Sequence, residues 1–97
     1  MLFRVHSKGG ARILALCDDE VVGMVFREGG RVLDLKKFAG FYGKRGEEKA
    51  ARAELGRASS VNAVGKKSVA LVIESGLAKK SDVVLIQGVP HVQVYRL

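Results

Sequence analysis

The sequence predicts a single α+β domain spanning residues 1–97, with a mainly antiparallel sheet built from hairpins and two main helices on one face. Three observations lead there. Three pairs of short apolar runs are joined by glycine-containing turns, as in hairpins. The segment 47–57, EEKAARAELGR, is made of strong helix formers. The stretch from Ser60 to Gly76 carries Val61, Val64, Ser68, Val69, Val72 and Ile73 on one stripe of a 3.6-residue period, which predicts a central helix with Ser59 or Ser60 as N-cap.

The elements follow in order. Leu2 to His6 alternates as a half-buried strand, Ser7 to Gly10 supplies a turn, and Arg12 to Cys17 returns. A lone histidine at a strand end, His6, reads as a hydrogen-bonded residue before it reads as a ligand. Cys17 reads as a small buried hydrophobe, and being the sole cysteine it forms no internal disulfide, in keeping with a reducing compartment. Asp18-Asp19-Glu20 fits the N-cap and first turn of a short helix beginning near Glu20; metal ligation would need more oxygen ligands than the local sequence supplies. A second hairpin runs from Gly23 to Leu35 around Glu28-Gly29-Gly30.

Residues 36–46, KKFAGFYGKRG, mix Phe38, Phe41 and Tyr42 with glycines and cations. Such a loop either stacks bases while holding phosphates or folds its aromatics over the core, and the scarcity of aromatics in this chain favours the core. In the 47–57 helix, Glu48 and Arg52 form a favourable i,i+4 pair, Arg45, Lys49 and Arg52 line a basic stripe, and Gly56 marks the end. Within the longer stripe, Asn62 and Lys66 fall one turn apart on the flank. The string Gly65-Lys66-Lys67-Ser68 is no phosphate loop, because Ser60 stands where the first glycine belongs. Gly76 is the helix stop. Two closing strands, Asp82 to Gln87 and His91 to Arg96, flank Gly88-Val89-Pro90, with His91, Gln93 and Tyr95 on one side and Val92 and Val94 on the other.

Charge narrows the function classes. The net charge of +7 is concentrated in residues 44–80, which carry nine Lys or Arg against four acids, so the basic surface is predicted on the two helices. No membrane span, signal peptide, lipidation motif, cofactor motif or multi-cysteine metal site is read in the chain, and a cytoplasmic location is the expectation.

The opening FRVH, the RILALCD strand, the FREG hairpin, the N-x-VGK string and the closing GVPHVQVYRL resemble a family of small archaeal proteins catalogued as domain of unknown function 424. The similarity spans nearly the whole chain. It implies an archaeal, cytoplasmic, single α+β domain and names no activity.

Two functional classes remain. In the first the chain is a non-catalytic RNA-binding module linked to translation or the ribosome. Its partner is RNA or a ribonucleoprotein, Lys44, Arg45, Lys49, Arg52, Lys66 and Lys67 contact phosphates, and Phe41 and Tyr42 stack. In the second it is a small enzyme or ligand-binding protein whose polar site is drawn from Asp18, Asp19, Lys66 and His91, with Asn62 and Gln93 beside them. An assembly adaptor using Tyr95 and a sheet edge to recruit a protein partner is a further class. The RNA-linked reading asks for the least, since a basic patch binds polyanions without convergent geometry.

Overall fold

The computed structural model describes residues 1–37 and 39–95; Phe38 of the aromatic loop and Arg96 of the last strand lie outside the described residues. Six strands form the main sheet in the spatial order β5-β1-β2-β6-β8-β7. They are β1 (Leu2–Lys8), β2 (Ala11–Cys17), β5 (Lys44–Arg45), β6 (Ser60–Val64), β7 (Val84–Ile86) and β8 (Val89–Tyr95). The helices are α1 (Glu48–Leu55) and α2 (Lys66–Glu74). All neighbouring strands are antiparallel except β2 and β6, which are parallel.

β6 corrects the expected central helix. Ser60 to Val64 is an inner strand, and only the second half of the apolar stripe is helical. The break falls at Gly65, whose φ of 104° is barred to ordinary side chains. On the strand, Val61 and Ala63 face the helices while Val64 faces the other way, so the period that suggested a helix joins residues on opposite faces. β5 and β6 run in the same direction, as the chain of pairings from β5 through β1 and β2 to β6 requires. α1 is therefore the crossover between two parallel strands, and both helices start at the same end of the sheet.

The helix face is the main core. Leu14, Leu16, Val61, Ala63 and Val92 from the sheet pack against Ala51, Leu55, Val69, Leu71 and Val72 from the helices. Each large aliphatic side chain buried there contributes on the order of 2 kcal/mol. At the end where α1 returns to β6, the Arg12 guanidinium meets Glu54 at 2.9 Å, and the Ser59 hydroxyl accepts from the Arg12 amide at 3.0 Å.

The second predicted hairpin also forms, as β3 (Val25–Glu28) and β4 (Arg31–Asp34), but as a separate two-stranded sheet rather than part of the main one. It folds over the opposite face, where Leu33 and Leu35 pack with Leu2, Ala15, Cys17, Val64, Tyr42 and Ile86. A reciprocal clasp holds it near its tip: the Arg27 amide donates to Gln87 Oε1 and the Gln87 amide donates to Glu28 Oε1, each at 2.9 Å. Residues 18–24 make turns instead of the short helix expected near Glu20.

Candidate nucleic-acid interface

Strand registers define the hairpin side of the sheet row by row. One row is Leu2, Cys17, Val64 and His91; the next is Arg4, Ala15, Asn62 and Gln93; the last is His6, Ile13, Ser60 and Tyr95. Alternation puts all twelve on one face. The β3–β4 hairpin covers the first row and Ala15 of the second; in the other two rows His6, Ile13, Ser60 and Asn62 are half-buried and Arg4, Gln93 and Tyr95 are exposed, Tyr95 at 74%. The loop at Ala39–Tyr42 reaches over part of them. Its Phe41 ring stacks on His6 with centroids 4.5 Å apart, and the His6 Nε2–H donates to the Phe41 carbonyl at 2.7 Å, which sets the tautomer. Arg4 supports the same loop through the Gly40 carbonyl at 3.0 Å.

Two hollows open on this face. The smaller, about 180 Å³, lies on the outer rows between Phe41, Ile13, Ser60, Asn62, Gln93 and Tyr95. The larger, about 520 Å³, runs under β4 and is lined by Leu33, Asp34, Lys37, Phe41, Tyr42, Asn62 and His91 among others. Its floor is a short polar chain. The Tyr42 hydroxyl donates to Asn62 Oδ1 at 3.0 Å, and His91 Nε2 lies 3.2 Å from the same oxygen. Burial pushes the Tyr42 phenol up and the His91 imidazole down, so both groups are neutral at pH 7.

The residues singled out in the sequence divide into separate places. Asp18 is buried and does cap a helix, but that helix is α2, fifty residues on. Its carboxylate accepts from the Lys67 amide at 3.0 Å, the Ser68 amide at 2.8 Å and the Ser68 hydroxyl at 2.7 Å. The cap therefore comes from Asp18, and not from Ser59 or Ser60. Gly65 makes room for it, because a Cβ there would collide with the Asp18 carboxyl. Asp19 meets the Met1 amine at 2.9 Å, and that hydrogen bond holds its carboxyl below the usual range. Cys17 is fully buried, and its thiol is pushed up to about 12, first by burial and then by the neighbouring aspartates.

Three of the six basic residues, Arg45, Arg52 and Lys67, are countered where they stand. Arg45 pairs with Asp19 at 3.5 Å, Lys67 with Glu20 at 4.0 Å, and Arg52 with Glu48 at 3.8 Å and Glu74 at 3.5 Å. Lys49 is exposed on α1, and Lys44 lines an edge cleft with Arg4, Gly40 and Gly43. Lys66 lines clefts beside Pro90, whereas His91 and Asn62 line the cavity on the hairpin side. Asp18 and Lys66 come together at the start of α2, and Asn62 comes together with His91, but the two pairs line different cavities. Among the described residues no three His, Cys, Asp or Glu side chains converge as a metal site, and no helix is long and apolar enough to cross a membrane.

Sequence reasoning missed Leu33, Asp34 and Lys37 as site residues; Tyr42 is buried at 5% exposure, in line with the core-covering reading of its loop and against the stacking role the RNA reading gave it. The alternation of His91, Gln93 and Tyr95 was the legible signal. The partner strand holding Asn62 was hidden behind a helical period.

The family described as "Protein of unknown function (DUF424)" matches residues 5–97. The chain belongs to the DUF424 family. A crystal structure of an uncharacterized conserved protein from Methanopyrus kandleri is similar to this DUF424 chain, with 30% sequence identity and a TM-score of 0.79. The similarity covers 99% of this chain and 90% of that one. A search of curated proteins gives no match.

Proposed function

We propose that this DUF424 chain is a small non-catalytic RNA-binding module that acts in the cytoplasm on the RNA of translation particles, holding single-stranded RNA across the open half of its sheet. The observation that carries the reading is the half-bare sheet face, on which His6, Ile13, Ser60 and Tyr95 form an outer row beside Arg4, Asn62 and Gln93. A sheet face with an exposed ring and polar side chains beside it suits unpaired bases, which stack on aromatics and hydrogen-bond along their edges. Tyr95 supplies the exposed ring, and Phe41, half-buried and stacked on His6, borders it.

The net charge of +7 supplies the sequence-independent part of the attraction. Arg4 and Lys8 stand on the same side of β1 as His6, at the margin of the open rows. Lys44, Lys49 and Lys66 extend the basic surface, while Arg45, Arg52 and Lys67 would have to exchange an acidic partner for phosphate. A non-catalytic role is favoured by the use already made of the acids. Asp18 is committed to the α2 cap and Asp19 to the Met1 amine.

The test is fluorescence anisotropy of the full chain with single-stranded RNA between 50 and 200 mM salt, read beside sedimentation of a native lysate with and without ribonuclease. Affinity that falls steeply with salt and co-migration with ribosomal particles that ribonuclease abolishes are the expected results. Salt-independent affinity, or migration as a small free protein under every condition, would overturn the reading.

A further inference from the structure

We propose that the cavity under the β3–β4 hairpin receives one unpaired nucleobase from RNA lying on the open sheet, with the Asn62 side-chain amide reading the polar edge of that base. The proposal rests on the RNA-binding reading of the sheet face. It adds a specific receptor to a surface that would otherwise bind bases indiscriminately.

The two hollows on this face share only Phe41 and Asn62 among their lining residues. The two hollows therefore adjoin at these side chains. A strand crossing the open rows runs beside the larger hollow, which is itself open to solvent, and can turn one base into it while its sugar and phosphate stay outside, as proteins that read splayed-out bases require.

The cavity interior fits a flat, neutral group with one polar edge. At about 520 Å³ it lies in the range of pockets that take small organic ligands. Leu33 and Leu35 give an apolar wall from the hairpin side, and Phe41 gives an aromatic one. Asp34 and Lys37, the charged residues of the lining, are of opposite sign, so the space selects against a net charge and favours a base over a free phosphate.

Polar recognition falls to Asn62. Its Oδ1 is occupied by the Tyr42 hydroxyl and by His91 Nε2, which fixes the orientation of the amide. Among the described residues nothing pairs with the amide nitrogen, which leaves two N–H donors for a carbonyl or ring nitrogen of the incoming base. The sheet holds Asn62 rigidly, since β6 is flanked by β2 and β8. This is the support a reading residue needs.

The experiment compares the wild-type chain with two variants, Asn62→Ala and Val32→Trp. Val32 lines the cavity but is 53% exposed on β4, so a tryptophan there fills the space from the rim without entering the core. Each variant is titrated with single-stranded RNA at several salt concentrations. The wild type is also titrated with the neutral nucleosides adenosine, cytidine, guanosine and uridine while the Asn62 side-chain amide signals are followed by NMR.

Both variants should bind RNA about five- to tenfold more weakly with the salt slope unchanged, because a base contact is lost and no phosphate contact is. At least one nucleoside should shift the Asn62 amide signals in the wild type and leave Val32→Trp unchanged. RNA affinity at wild-type strength in both variants would overturn the receptor and leave the sheet reading standing. Nucleoside shifts without RNA affinity would overturn the sheet reading and retain the cavity as a nucleoside site. Neither RNA affinity nor nucleoside shifts would overturn both.

Discussion

The two faces of the main sheet are made by alternate residues of the same strands, yet they have opposite characters. Toward the helices the strands present Leu14, Leu16, Val61, Ala63 and Val92, all buried under α1 and α2. Toward the hairpin they present Cys17 and Val64 at one end, then Asn62 and Gln93, then Ser60 and Tyr95. Burial on the second face fades along the strands, from the covered row to a tyrosine open to solvent. One face is apolar along its length and holds the fold together. The other is mainly apolar where the β3–β4 hairpin rests on it, and beyond that it mixes Ile13 with the polar or aromatic Arg4, His6, Ser60, Asn62, Gln93 and Tyr95. That difference is the contrast on which the proposed RNA-binding reading rests.

Substitutions can break that contrast, and the largest loss of stability should come where the two faces are joined. Gly65→Ala forces a positive φ onto a side chain and drives its Cβ into Asp18, so it should cost roughly 3–5 kcal/mol in a denaturant melt. Asp18→Ala should account for part of that loss and Gly65→Ser should give no rescue. On the helix face, Leu14→Ala should cost about 3 kcal/mol, whereas Gln93→Ala on the open rows should stay within about 0.5 kcal/mol. Equal costs at the two positions would erase the distinction between the faces.

Smaller effects sharpen it. Tyr95→Ala should leave the melting temperature unchanged and weaken single-stranded RNA binding about tenfold, the loss of one stacked base. A change in stability with no change in binding would move Tyr95 from the interface to the fold. The smallest effect concerns pH. Burial lowers the His91 imidazole from its ordinary 6.5, so as pH falls the unfolded chain takes up that proton first. The stability this histidine contributes is complete above pH 6.5 and lost as pH drops below it. His91→Gln should flatten that part of a stability profile measured from pH 8 to 5, and an unchanged profile would mean that His91 is not held neutral in the cavity floor.

Local pattern was sufficient wherever the partner of a residue lay nearby in the chain. The β1–β2 and β3–β4 hairpins stand where their glycine turns predicted them, at Gly9-Gly10 and Gly29-Gly30. The last pair moves slightly: β8 begins at Val89, so the turn is Gln87-Gly88, and the trans Val89–Pro90 bond lies within the strand. α1 lies inside the expected 47–57 segment but is shorter, ending at Leu55 just before Gly56, and the buried side of α2 keeps the predicted stripe from Ser68 to Val72. In the candidate site, the sequence placed Gln93 and Tyr95 on one side with His91, because alternation needs no knowledge of the neighbouring strand.

By itself, then, the sequence determined the α+β class, the hairpins, both helices in outline and the basic balance, all of which follow from turn chemistry, periodicity and composition over a few residues. Tertiary structure decided that Ser60–Val64 is a strand, that Asp18 caps α2, and that Tyr42, Asn62 and His91 share one oxygen. Each depends on the parallel pairing of β2 with β6 and the antiparallel pairing of β6 with β8, contacts between residues far apart in the chain. In isolation residues 60–64 satisfy a helical period as readily as an extended one. Unpaired backbone groups on two adjoining strands, together with a glycine that alone can turn sharply at position 65, settle the choice.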